Sequence, residues 1–194
     1  MTPPGKIRVI GGMFRGRRLG TLPGKTVRPT GDRVREALFD LIGRRIQGCT
    51  FLDAYAGTGA VGIEALSRGA AAVTFVEKDA AALGVLRENL ERILGPSGRD
   101  TPVRVLPVDL LDAIRDLERR HRAFDILFLD PPYGGGELDR ALRLLSRSDL
   151  TGSDSMIVAE HAAGDPRPES GSLEPIRTEV YGKVALTFLM RATV

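Results

Sequence analysis

Four acidic residues, Asp53, Glu77, Asp109 and Asp130, each close a short apolar run: TFLD, VTFVE, VRVLPVD and ILFLD. A carboxylate at the end of a buried strand faces the crevice where open α/β sheets take their ligands, and it can receive a cation, a hydroxyl or an amine there. Asp130 is followed by Pro131, Pro132 and Tyr133. Proline fixes its own φ and drives the preceding residue extended, so the strand that ends in Asp130 should run into a stiff tip.

Asp53 leads into DAYAGTGAVGIEAL, which holds a G-x-G-x-x-G at Gly57, Gly59 and Gly62. Alone, that spacing suggests a dinucleotide pyrophosphate on a helix N-terminus. Asp53 argues against it, because a carboxylate beside the glycine turn repels phosphate and attracts positive charge. S-adenosylmethionine carries an ammonium and a sulfonium but no phosphate, so it suits the loop better than a nicotinamide dinucleotide. Glu77 lies 20 residues beyond Gly57, the distance at which the second strand of a nucleoside-binding unit offers an acid to ribose hydroxyls. Asp109 stands where an acid could accept from an adenine amino group, and equally where it could cap the next helix. Ala54, Lys78 and Leu110, beside these acids, complete the expected cofactor set.

Such acids need a scaffold. Apolar runs at 50–54, 72–77, 102–108, 124–130 and 155–160 read as buried strands, and helical patterns fall at about 59–68, 79–94, 110–120 and 136–146. That alternation predicts right-handed crossovers and a mostly parallel, Rossmann-like sheet with helices on both faces. The tail EPIRTEVYGKVALTFLMRA changes pattern, with two strand-like runs meeting at Tyr181-Gly182, as in a terminal antiparallel hairpin. At the other end, KIRVIGG and RGRRLGTL predict a short hairpin with Arg15, Arg17 and Arg18 at or near its bend. Val34, Ala37, Leu38, Leu41 and Ile42 then mark an amphipathic helix. The expected division is a basic extension over 1–30 and a catalytic domain over 31–194.

The 194 residues carry a net charge of +3, but residues 1–36 hold nine Lys or Arg against Asp32 and Glu36, leaving −4 on the remaining 158. So concentrated a charge is the footprint of a polyanion such as RNA, whose counterions are released on binding. Arg15, Arg17, Arg18, Arg28, Thr30, Arg33 and Arg35 are the expected contacts. The single cysteine, Cys49, excludes an internal disulfide, and with His121 and His161 it forms no cluster at metal-ligand spacing. No metal is expected, and none of the three is assigned a function. The segment MTPPGKIRVIGG lacks a signal peptide's apolar stretch, and no run is long enough to span a bilayer, so a cytoplasmic protein with no membrane partner is expected.

The glycine loop with VEKD and DPPY resembles the class I S-adenosylmethionine-dependent methyltransferases, and DPPY resembles the signature of those that methylate amino groups. RVIGGMFRGRRL, RPTGDRVREALFDLI and YGKVALTFL are similar to the RsmD family of bacterial 16S rRNA (guanine-N2)-methyltransferases. The likeness covers nearly the whole chain; Asp130 stands where many amino methyltransferases have Asn, and the 164–175 loop matches nothing specific. The resemblance implies a seven-stranded class I sheet, S-adenosylmethionine as methyl donor, and 16S rRNA, free or in an assembling small subunit, as partner to a monomeric enzyme. It implies that Asp130 and the Pro131 carbonyl hold the target amine, stiffened by Pro132, while Tyr133 stacks on the base. A DNA adenine-N6 or protein amide methyltransferase would share this chemistry. A noncatalytic RNA-binding module would need none of the strand-end acids, and a nicotinamide dehydrogenase should lack Asp53 and DPPY.

Overall fold

The computed structural model describes residues 7–22, 31–95, 102–119, 123–132, 134 and 136–192. Strands β1 (Ile7–Arg8) and β2 (Arg18–Leu19) form a two-stranded antiparallel hairpin. Helix α1 (Asp32–Ile42) follows, and a 3-10 turn at Gly43–Ile46 ends it. The strands β3 (Thr50–Asp53), β4 (Ala72–Val76), β5 (Val103–Leu106), β6 (Phe124–Leu129) and β7 (Thr151–Ala162) then alternate with the helices α2 (Ala60–Ser67), α3 (Ala80–Leu94), α4 (Leu110–Glu118) and α5 (Glu137–Leu145). A terminal hairpin of β8 (Leu173–Tyr181) and β9 (Val184–Arg191) completes the chain.

The seven strands are ordered β5-β4-β3-β6-β7-β9-β8. The first five run parallel, and β9 enters antiparallel between β7 and β8. Both faces of the sheet are covered, and the two-residue period of each strand divides its side chains between two cores. Phe51, Phe75, Ile126, Phe128 and Val158 pack under α1, α2 and α3 with Leu38, Phe39, Ile63 and Leu86. Leu52, Val76, Leu127, Leu129 and Ile157 pack under α4 and α5 with Ala113, Ile114, Leu142 and Leu145. Cys49 is buried just ahead of β3, and burial pushes its thiol up to about 12. His161, near the end of β7, is buried against the Thr187 hydroxyl at 2.9 Å, whereas His121 lies outside the described residues.

The sheet agrees with the sequence pattern in type and order, and the largest boundary change is in β7. β7 spans Thr151–Ala162, beginning ahead of the expected 155–160 and running past its end. Register shifts between Phe124 and Ile126, and the Ser155 hydroxyl bridges the irregularity, donating to Phe124 O at 2.6 Å and accepting from Gly152 N–H at 2.8 Å. A side chain thus replaces part of the ladder across the bulge.

The described part of the amino-terminal segment is seated on the helices through polar groups. Glu64 of α2, fully buried, accepts from the N–H groups of Ile10 and Gly11 at 2.7 Å each and from Arg68 Nε at 2.7 Å. Ser67 accepts from Phe14 N–H at 2.9 Å through its hydroxyl and from Met13 N–H at 2.8 Å through its carbonyl. Gly12, at φ +74°, passes so close that a Cβ there would lie 1.7 Å from Ser67 O, and only glycine can take that path.

Arg35 corrects the sequence reading. Counted with the arm's basic residues, it was expected to meet RNA, but it faces inward from α1 with no exposed surface. It donates to Arg8 O at 2.7 Å and Asp32 Oδ1 at 3.0 Å and lies 3.9 Å from Glu64 Oε2. Burial is the largest influence on its pKa and pulls it below the ordinary guanidinium value.

Removing one partner from a buried ion pair costs about 3–5 kcal/mol, because the other charge is left without compensation. Glu64→Ala should therefore lower urea-unfolding stability on that scale. Glu64→Gln, which keeps an acceptor for the arm, should lose less; equal stability of wild type and Glu64→Ala would remove the carboxylate from the docking of the arm.

Candidate active site at the strand carboxyl ends

Between β3 and β6 the strand order reverses: the chain builds β3, β4 and β5 outward and then returns to the other side of β3. Neighbouring strands diverge into their loops at this point, which opens a crevice at their carboxyl ends. Asp53 ends β3 opposite Phe128 of β6, and Asp130 follows β6 directly. The topology therefore sets these two acids on adjacent strand ends.

The glycine loop is fixed from several sides. Ala54 N–H donates to Phe128 O and Ala56 N–H to Val76 O, both at 2.9 Å, which pins the start of the loop across β6 and β4. Asp53, buried on the α2 face, accepts from Gly62 N–H at 2.8 Å, so its carboxylate occupies a donor in the first turn of α2. That is the donor a pyrophosphate would seek at a helix N-terminus.

The three glycines of the motif do different work. A Cβ on Gly59, at φ +84°, would lie 2.2 Å from Leu86 Cδ1, and one on Gly62 would lie 2.3 Å from Phe75 Cε1. Both are glycine so that the loop and α2 can close on the core. Gly57, at φ +54°, has open space where its Cβ would be, so a ligand can approach the backbone there.

Glu77 braces the same loop, accepting from Gly57 N–H and Asp79 N–H at 2.7 Å each. Asp109 caps α4 by accepting from Leu111 N–H at 3.0 Å, and its other oxygen takes Lys78 Nζ at 2.9 Å. The Leu111 bond first and the Lys78 bond second hold its pKa below the usual carboxylate value. An adenine amino group would compete with Lys78 for that oxygen, and Lys78 is exposed enough to swing aside. Leu110 is buried in the first turn of α4. Acids at three strand ends, a glycine loop with one open position and an α2 donor already taken by Asp53 suit a cationic nucleoside such as S-adenosylmethionine better than a dinucleotide.

On the far side of the crevice Asp130 is half-buried, Pro131 buried and Pro132 exposed, while Tyr133 lies outside the described residues. The backbone then turns through Gly134 at φ +84° and Gly136 at φ +66°, the residue ahead of α5. Tyr55, in the loop after Asp53, was not singled out from sequence. Burial first, then the charges of Glu137 and Asp109, push its hydroxyl pKa above the ordinary value. An aromatic immediately before a glycine turn was the available signal.

The basic residues do not join this cluster. Arg15, Arg17 and Arg18 are exposed on the hairpin, Arg33 is exposed on α1, and Arg28 and Thr30 lie outside the described residues. The hairpin's bend rests on Ser67 and Ile93, near the carboxyl ends of α2 and α3; Arg17 donates to Ile93 O at 2.6 Å and stacks over Phe14, 5.2 Å from its centroid. Crossover helices run antiparallel to the strands they join, so the bend lies toward the amino ends of the strands, away from the acids. The residues that anchor the arm, Glu64, Ser67 and Asn89, also escaped the sequence reading, since polar residues of a helix usually face solvent.

The family model described as "Conserved hypothetical protein 95" matches residues 7–190. "Ribosomal RNA small subunit methyltransferase D" of Escherichia coli (strain K12) is 36% identical over 190 residues, spanning 96% of this chain and 91% of the relative. Among solved structures, a hypothetical protein of Thermus thermophilus superposes with a TM-score of 0.80 at 31% identity, covering 95% of this chain and 99% of that one. An rRNA methyltransferase of Streptomyces viridochromogenes, at 16% identity and a TM-score of 0.68 over 89% of this chain and 88% of that one, shares the fold.

The buried carboxyl of the site has a consequence for stability. Burial pushes Asp53 up to about 7, against the Gly62 N–H bond that pulls it down and with Glu77 adding to the rise. Between the unfolded value of about 3.9 and that folded value, the native protein holds a proton that the unfolded chain has lost. This group's contribution to stability should therefore fall as pH rises through that window and level off above it. Asp53→Asn keeps an acceptor for Gly62 and cannot ionise, so its stability relative to wild type should grow between pH 5 and pH 8. Urea midpoints at the two pH values check this, and a constant difference would leave Asp53 ionised in the fold.

Proposed function

The chain belongs to the family described as conserved hypothetical protein 95, the RsmD family, and we propose on that footing that it moves a methyl group from S-adenosylmethionine to the N2 amino group of one guanine in the 16S rRNA of the small ribosomal subunit. The observation that carries this reading is the pair of acids at the switch point, one buried in the glycine loop's support and the other at the start of a rigid Asp-Pro-Pro tip.

S-adenosylmethionine supplies an electrophilic methyl group on a positively charged sulfur. Glu77 and Asp109 would hold its nucleoside, Asp53 would favour its positive charge, and Gly57 would let it lie against the loop. Ala54, Gly59, Lys78 and Leu110 complete that side of the crevice. An exocyclic amine is a weak nucleophile because its lone pair is delocalised into the base. Asp130 and the Pro131 carbonyl accept from its two hydrogens, which turns the lone pair outward and stabilises the positive charge that develops on nitrogen. The two prolines fix these acceptors before the base arrives, so little reorganisation is left for the reaction itself. Tyr133 would stack on a guanine turned out of its helix.

A ribosomal substrate is favoured by the name of the Escherichia coli relative and by the charge of the arm. α3 is 15 residues long, or roughly 22 Å, and a polyanion of several nucleotides can extend along it from the hairpin's guanidiniums toward the strand-end acids. Ribosome assembly implies a cytoplasmic enzyme, and the proposed enzyme acts as a monomer on a basic extension over 1–30 and a catalytic domain over 31–194. Expression in a bacterial strain lacking its own RsmD-family enzyme should restore a single N2-methylguanine in 16S rRNA. N6-methyladenine in DNA, or a methylated protein amide, would instead select the alternative amino-group chemistry.

Asp130→Ala should fold and bind cofactor, yet lose about two to three orders of magnitude in single-turnover methyl transfer, the scale of removing one preorganised polar group. Asp130→Asn keeps an acceptor oxygen without the charge, so partial activity would make geometry sufficient, and a loss as deep as that of Ala would make the charge necessary. Near wild-type transfer by Asp130→Ala would sink the mechanism.

Replacing Arg15, Arg17 and Arg18 with Ala should weaken RNA binding and flatten the dependence of log K on log salt by roughly 0.7–0.9 for each phosphate that is no longer neutralised. A salt slope equal to that of wild type would leave the hairpin outside the RNA interface.

A further inference from the structure

Asn89 of α3 is fully buried and uses its whole amide. Its Oδ1 accepts from Gly20 N–H at 2.6 Å, while its Nδ2 donates to Gly20 O at 3.1 Å and to Thr58 O at 2.9 Å. Gly20 directly follows the basic arm's second strand, and Thr58 sits between Gly57 and Gly59 at the crown of the glycine loop. One side chain therefore spans the two surfaces that the proposed function assigns to RNA and to the methyl donor. It does so by pairing with both the N–H and the C=O of one arm residue, a match that a flipped amide would lose.

The surroundings make this link rigid. Leu86, one helical turn before Asn89, blocks any Cβ at Gly59, so α3 already touches the loop from below. On its other side a Cβ at Gly20 would lie 3.3 Å from Asn89 Oδ1 and 3.4 Å from Val85 Cγ1, so the arm lies flat on the same helix. The loop's other braces, the ladder bonds of Ala54 and Ala56, Asp53 on Gly62 N–H and Glu77 on Gly57 N–H, belong to the sheet and α2 and do not move with the arm, and none of them holds Thr58 O. If the arm lifts, Asn89 gives up two of its three bonds, and the group holding Thr58 O is free to turn away.

We propose that Asn89 is a positioning residue that couples the two sites: seating of the arm, which bound RNA stabilises, holds the glycine loop in its cofactor-binding shape. The inference rests on the methyltransferase reading, and by linkage it works in both directions, so bound cofactor must strengthen RNA binding by the same factor.

The test is calorimetric titration of S-adenosylhomocysteine, which binds without reacting, in the absence and presence of a 16S rRNA transcript. In wild type the RNA should tighten binding at least about fivefold, the lower end of ordinary coupling, and Asn89→Ala should bring that factor close to one. Amide exchange of the unmodified protein gives a second readout that needs no variant: RNA should slow exchange at Gly57 and Gly59. RNA and S-adenosylhomocysteine each binding wild type with affinities indifferent to the other would overturn the coupling while leaving the methyltransferase reading intact. So would full coupling in Asn89→Ala, or loop amides that ignore RNA. Failure of wild type to bind S-adenosylhomocysteine at all would overturn both.

Discussion

The reversal of strand order between β3 and β6 is the constraint on which the site depends. A parallel sheet built outward in one direction has no crevice, because each crossover helix packs beside the last. Returning to the far side of β3 forces two successive crossovers onto opposite faces and leaves the ends of the central strands uncovered. The residues at those ends, Asp53 and Asp130, are the ones that a buried strand would otherwise exclude. Everything else at the site is support: the ladder bonds that pin Ala54 and Ala56, the Glu77 carboxylate under Gly57, and the helix cap that holds Asp109.

The amino-terminal arm is attached in a different way. Its described residues contribute Ile7, Val9 and Leu19 to the core, but the contacts that fix its path are polar and buried: Glu64 with two backbone N–H groups, Ser67 with Phe14, Asn89 with Gly20, and Arg35 with Arg8 O. Apolar packing tolerates sliding, whereas a carboxylate that must meet two particular amides does not. Buried polar groups raise the cost of every alternative register, since each alternative leaves a charge or an amide without a partner. The arm is thereby held in one orientation, with Arg15 and Arg18 outward and Arg17 tethered across Phe14.

Charge is partitioned along the molecule accordingly. The acids cluster at the carboxyl ends of the strands, and the arm's bend carries guanidiniums toward their amino ends. Acids that hold a cationic donor repel a polyanion, so a separate basic surface is a physical requirement for a nucleic acid substrate. That separation makes the polar bridge through α3 informative, because it is a continuous chain of hydrogen bonds between surfaces that charge keeps apart.

Much of this was legible in the sequence because the signals were local. Period-two and period-3.6 patterns placed the five parallel strands and their helices, and Tyr181-Gly182 marked the final hairpin, each through chemistry within a few residues. What the sequence left undecided depended on which way a side chain turns once helices pack. Arg35 added to a basic count because a sum of charges ignores faces, yet α1 turns it inward to Glu64, 29 positions away. Glu64 and Asn89 carry no local signal of a partner, and only the arm folding across α2 and α3 makes them its anchors. The first residues of β7 lie outside the apolar run at 155–160, and pairing with Phe124, bridged by Ser155, adds them to the strand. Periodicity fixes which elements form, while the partner of a lone polar residue is fixed by contacts between segments far apart in the chain, and those exist only in the tertiary structure.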